Sequence, residues 1–208
     1  MNMMRFTTMK TKLRKYPSIF LILLLAISSC FLTGCVNQHP KDSKKSSQGE
    51  SVETMLEITD PKEKQAVLNA KAKVKALSGN PRIVATSPAV ADICDKLDLD
   101  LVGVPKSSVS KIPSRYKKVK KVGLAMSPDM EIVSSLNPDW ILAPSSLETD
   151  LKPKFEELKN TEYAFLNLRS VQGMYRSVQE LGEIFGKQQE AEKMTKEFTT
   201  FYKSYTKR

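Results

Sequence analysis

Four short strand-like runs, Arg82–Ala85, Leu101–Val104, Trp140–Ala143 and Tyr163–Leu166, alternate with segments whose apolar residues recur at helical spacing. Val90, Ile93, Cys94 and Leu97 follow the first run at i, i+3, i+4, i+7, one face of a helix. Met130, Val133 and Leu136 repeat the pattern before Asn137-Pro138 stops it. Leu151, Phe155 and Leu158 mark a third helix, and Val171 to Phe185 a longer one that ends near Gly186. Thr86-Ser87-Pro88 and Ser127-Pro128 each read as a helix start, a hydroxyl N-cap with proline in the first turn. Strands that alternate with helices predict a parallel sheet covered on both faces, and continuous apolar strands agree with burial on both sides. The expected fold class is therefore α/β, with one lobe over residues 81–186.

The N-terminus has a different character. Arg5, Lys10, Lys12, Arg14 and Lys15 precede an apolar run from Ile19 to Ile27. That run is short of the about 20 residues that a transmembrane helix needs, and it has the length of a signal-peptide core. Leu32-Thr33-Gly34-Cys35 follows and resembles the lipobox of bacterial lipoproteins. The resemblance implies cleavage after Gly34 and a diacylglyceryl group on Cys35, so residues 1–34 are expected to be a signal. The chain is expected at the extracellular face of the cell membrane, held by two acyl chains, which suffice where one is marginal. Residues 36–50 are polar and rich in Ser and Lys, as a disordered tether would be. Residues 51–79 read as an extension of the tether with one marginal helix across Lys62–Leu77, so anchor and tether together span 35–80.

Charge and side-chain chemistry exclude several function classes. Residues 35–208 keep 28 basic and 23 acidic residues, a modest net charge of +5. No basic recognition helix or aromatic stacking motif is present, so nucleic acid is not an expected partner. His39 is the single histidine and lies in the tether, which leaves nucleophilic catalysis without a base and argues against an enzyme. Cys94, on the apolar helix face, reads as a buried structural thiol, and no Cys/His metal cluster exists. Arg115-Tyr116-Lys117-Lys118-Val119-Lys120-Lys121 holds five cations; a solvated face is the plain reading, and contact with a propionate or an acidic lipid is the alternative.

From Arg82 onward the chain resembles the N-terminal lobe of the cluster-A (class III) substrate-binding proteins of ABC importers. The resemblance rests on Arg82–Pro88, on the Gly-x-x-x-x-Pro-Asp-x-Glu block at Gly123–Glu131, and on Leu136–Leu142. Within that family it is most similar to the heme-receptor lipoproteins of the iron-regulated surface-determinant system. Asp95–Leu99, Val102-Gly103, Pro113-x-Arg115-Tyr116-Lys117, Val122-Gly123-x-x-Met126-x-Pro128 and Gly173-Met174 carry that likeness. It implies a bilobal periplasmic-binding-protein fold, heme as the transported ligand, an ABC permease as partner, and Met126 as an axial ligand of the heme iron. A thioether suits low-spin heme iron; without the resemblance, Met126 reads sooner as a loop methionine filling an apolar gap.

For the heme propionates, Thr86 and Ser87 at one helix start and Ser127 at the other offer N–H groups and a positive dipole end. Lys106, Ser107 and Ser108 offer a polar rim. For each of the six, a plain cap or solvated loop role is the alternative.

Residues 187–208 resemble the start of the helix that joins the two lobes, with an apolar stripe at Ala191, Met194, Phe198, Phe201 and Tyr205 that a single lobe is expected to leave exposed. The chain stops within it, so the expectation is a truncated receptor, and the histidine that supplies the second axial ligand in the family is missing. A separate chain carrying the C-terminal lobe, or one lobe acting alone, are the other readings. A siderophore or cobalamin receptor of the same fold, or a surface lipoprotein that pairs through the stripe, are the alternatives in function.

Overall fold

A computed structural model describes residues 5–6 and 57–206. Cys35 and His39 lie outside the described residues, as do most of the signal and tether. The elements run β1 (Arg5–Phe6), α1 (Pro61–Lys75), β2 (Ile83–Ala85), α2 (Pro88–Lys96), β3 (Leu101–Val104), β4 (Lys120–Lys121), β5 (Gly123–Leu124) and β6 (Ser127–Pro128). They continue with α3 (Met130–Ser135), β7 (Trp140–Pro144), α4 (Glu148–Glu156), β8 (Glu162–Leu166), α5 (Val171–Phe185) and α6 (Gln188–Thr206).

The main sheet has the order β1-β8-β7-β2-β3-β4. Its inner strands are parallel, with Ala85 opposite Leu142 and Val104 opposite Lys121. Only β1 runs antiparallel, with Arg5 opposite Phe165, and both its residues fall inside the expected signal. The chain enters at β2, moves outward through β3 and β4, then crosses back to β7 on the other side of β2. The order therefore reverses between β2 and β7.

Period-two alternation sorts the strand residues between two cores. Ile83, Ala85, Trp140, Leu142, Ala164 and Leu166 face one side, where α1, α2, α5 and α6 pack. Val84, Ile141, Ala143, Tyr163 and Phe165 face the other, against Val133 of α3 and Leu151 and Phe155 of α4. The predicted parallel α/β sheet with both faces covered is what the chain forms. Gly182 lets α6 approach α5, since a side-chain carbon there would stand 2.6 Å from the Ala191 methyl.

Two expectations need correction. Residues 57–79 are not tether: α1 packs on α5 and buries Val67 and Ala70 in the larger core. Its apolar pattern is weak because much of its contact is polar. Glu63 of α1 meets Arg176 of α5 at 3.5 Å, and both are buried. Glu180, one turn further along α5, is fully buried, and neither of its oxygens has a hydrogen-bond partner. Lys71–Glu183 and Lys73–Glu162 ion pairs flank the contact. Secondly, the stripe on α6 is partly covered within the chain. Ala191 is buried and Phe198 stacks on Tyr175 at 4.6 Å, while Phe201 stays 69% exposed.

Cys94 is fully buried on α2, as the sequence predicts, and burial pushes its thiol up to about 12. Iodoacetamide at mildly alkaline pH is expected to spare Cys94 in the native chain and to label it after denaturation. Peptide mass spectrometry reads this directly; native labelling at Cys94 would contradict its place in the core.

Candidate functional site

Because the inner strands are parallel, the carboxyl ends of β2, β3, β4 and β7 share one edge of the sheet. In open α/β sheets, ligands bind outside this edge, at the point where strand order reverses. Here that point lies where β2 runs into Thr86-Ser87 and β7 into Ser145.

At the same edge of the sheet, directly after β4, stands a small hairpin. β5 and β6 pair antiparallel, with Gly123 opposite Pro128 and Leu124 opposite Ser127, so Ala125-Met126 form its two-residue tip. Gly123 makes the turn from β4 into the hairpin at φ +95°, and a side-chain carbon would lie 2.9 Å from the Asp129 nitrogen. Only glycine meets both conditions without strain. The hairpin is fixed at its base: the Asp129 N–H donates to the Val122 carbonyl at 2.7 Å, and the Lys106 N–H to the Gly123 carbonyl at 2.6 Å. The second bond ties the loop after β3 to the hairpin. On this base Met126 is 73% exposed and Leu124 59% exposed. Two flexible apolar side chains thus project from a rigid mount, which is unusual for residues that bury readily.

The other expected site residues fall into two groups. Lys106 and Ser108 are exposed on the loop beside the hairpin, and Ser107 is half-buried with its hydroxyl accepting from the Ser110 N–H at 3.0 Å. Ser87 is buried, and its hydroxyl accepts from the Val90 N–H at 3.3 Å as the cap of α2.

Thr86 is a correction. It is 0% exposed, its N–H and hydroxyl both meet the Leu142 carbonyl, and it joins β2 to β7 rather than reaching the rim. Ser127 is a second correction, since it lies in a strand and caps nothing. Asp129 caps α3 instead, its carboxylate accepting from the Glu131 and Ile132 N–H groups at 3.1 Å. An aspartate directly after the Ser-Pro pair is the available signal, and the Ser-Pro pattern obscures it.

Sequence reasoning also passed over Leu124, whose exposure depends on the hairpin pairing. A separate apolar groove of about 480 Å³ lies between α1, α5 and α6, lined by Ile58, Val67, Leu68 and Ala191, and includes no residue of the carboxyl edge. Among the described residues no group of histidine, cysteine and carboxylate side chains is placed to hold a bare metal ion.

Comparisons with known proteins follow the same outline. The high-affinity heme uptake system protein IsdE of Staphylococcus aureus (strain Newman) is 36% identical over 117 residues, which cover 56% of this chain and 39% of that protein. An ABC transporter substrate-binding protein from Listeria monocytogenes EGD-e superimposes with TM-score 0.56 at 44% identity, over 59% of this chain and 46% of that one. Staphylococcus aureus IsdE complexed with heme superimposes with TM-score 0.55 at 34% identity, again over 59% and 46%. The chain thus spans less than half the length of these relatives, which by name are uptake and substrate-binding proteins, not enzymes. The family model for periplasmic binding proteins matches residues 83–208, from β2 to the chain end, and by that match this chain belongs to the periplasmic binding protein family.

Proposed function

We propose that this chain is the heme-binding lobe of an ABC importer's substrate-binding lipoprotein, anchored at the outer face of the cell membrane through Cys35. The observation that carries the reading is Met126, 73% exposed at the tip of a rigidly mounted hairpin at the carboxyl edge of the sheet. A thioether there suits one axial position of heme iron and leaves the other for a second group. Leu124 beside it offers apolar contact to the porphyrin, and exposed Lys106 and Ser108 offer polar contact to its propionates. Likeness to a heme uptake protein and to its heme complex supports the choice of ligand. The Leu32–Cys35 lipobox supports the anchor, and an ABC permease is the partner that such an importer requires. A second lobe would close the other face.

Hemin added to the full chain is expected to bind with one-to-one stoichiometry, read from the Soret band. Excess ferric hydroxamate is expected to leave that complex intact. Displacement of hemin by the hydroxamate would favour a siderophore as the ligand instead.

A further inference from the structure

Residues 101–128 hold Lys106, Lys111, Arg115, Lys117, Lys118, Lys120 and Lys121 and not one acidic residue, a local charge of +7. The rest of residues 35–208 carries 21 basic and 23 acidic side chains. The whole positive excess of those residues therefore sits in this one stretch.

The fold gathers these cations on one flank. β4 is the outermost strand of the main sheet and pairs through Gly103–Lys120 and Val104–Lys121 on its inner side only. The connection from β3 to β4 wraps that flank and is pinned by Tyr116, which is buried and donates its hydroxyl to the Leu99 carbonyl. Arg115 is consumed by structure, bonding Asp98 and Asp100 at 2.8 Å each. Lys106, Lys111, Lys117, Lys118 and Lys120 are exposed and Lys121 is half-buried. None of the six makes an ion pair among the described residues. In the same loop Val109 is 94% exposed, between Ser108 and Ser110.

Lysines on an edge strand also discourage strand pairing with another chain. That role accounts for Lys120 and Lys121, and the propionate contact proposed above engages Lys106, which leaves Lys111, Lys117, Lys118 and the bare Val109 without a purpose. Six lysines, with the single arginine tied up, suit a diffuse array of negative charge better than one shaped anion, because lysine is a mobile point charge without a fixed fork. An apolar side chain among them suits the headgroup boundary of a bilayer, where lysine stems lie on apolar surface and their heads stay in water.

We propose that the flank formed by β4 and the β3–β4 loop docks on anionic phospholipid. It is independent of the heme reading, and draws on the Cys35 anchor only for proximity to a membrane. Docking there would hold the lobe in one orientation on the surface.

The test uses the full chain carrying Cys35→Ser, which removes the lipid, beside the same chain carrying Lys117→Gln, Lys118→Gln, Lys120→Gln and Lys121→Gln. Sedimentation with vesicles of about 30% phosphatidylglycerol in phosphatidylcholine is expected to show at least ~10-fold weaker partitioning for the lysine variant at near-physiological salt. Pure phosphatidylcholine vesicles are expected to show no difference. Near-ultraviolet circular dichroism monitors folding, and a second variant, Lys111→Gln, leaves the edge strand and the proposed heme contacts untouched and is expected to weaken the same partitioning. Equal partitioning of all three chains on the anionic vesicles would overturn the proposal. So would a lysine variant that loses hemin affinity while keeping vesicle affinity, since the flank would then serve the propionates.

Discussion

Arg176→Met is expected to cost about 3–5 kcal/mol of folding stability in urea unfolding at neutral pH. The methionine nearly matches the arginine stem in volume, so the loss is chiefly electrostatic. Arg176 is the cation facing Glu63 on α1 and Glu180 one turn along its own helix. Without it two buried carboxyl groups face each other with no positive charge between them. Removing one partner of a buried ionic cluster leaves the others uncompensated, which is why the cost exceeds that of a surface pair. Replacing the cluster whole, with Glu63→Leu, Arg176→Met and Glu180→Leu together, is expected to recover most of that stability. A single Arg176→Met change that costs less than about 1 kcal/mol would show that α1 is not held to α5 by this cluster.

Glu180 sets the pH dependence of the same contact. Burial, reinforced by the Glu63 carboxyl beside it, holds its carboxyl pKa far above the carboxylate range. The folded chain therefore keeps a proton that the unfolded chain releases. Stability from this group is full below the ordinary carboxylate pKa and declines as pH rises through neutrality, by at most about 1.4 kcal/mol per pH unit. Glu180→Gln, which mimics the protonated form, is expected to flatten that decline and to be more stable than the parent at neutral pH. Unfolding titrations at several pH values check both points.

The second large effect concerns the hairpin. Met126→Ala is expected to weaken hemin binding at least ~10-fold, about 1.4 kcal/mol or more. The loss comes from the iron–sulfur bond, because an exposed tip residue supports nothing in the core. Leu124→Ala removes apolar contact only and is expected to cost less, with no change of ligation. Neither change should alter folding stability by more than about 0.5 kcal/mol, as both side chains are largely exposed.

How much of this was legible in the sequence depends on which force shapes each element. Where apolar burial decides, periodicity sufficed: β7 and β8 are continuous apolar runs because helices cover both faces. Ser87-Pro88 and Gly186 bound their helices through local backbone chemistry, a side-chain cap and a left-handed residue at φ 71°. Where long-range pairing decides, sequence is silent. β4 is a pair of lysines, a strand only because β3 offers it a partner. The α1 helix looked marginal because its charged contact joins Glu63 to Arg176, 113 residues away. The candidate site divides the same way. The family resemblance carried by Gly-x-x-Met-x-Pro, not the spacing itself, singled out Met126 as a candidate; its exposure follows from the β5–β6 pairing, and Thr86 looked available only because its bonds to Leu142 were invisible.

The absorption spectrum of ferric hemin bound to the full chain bears most directly on the central claim. A Soret band and visible bands that differ clearly between the parent chain and Met126→Ala, both saturated with hemin, are expected. Superimposable spectra would contradict ligation by Met126, and with it the heme-binding role assigned to this edge of the sheet.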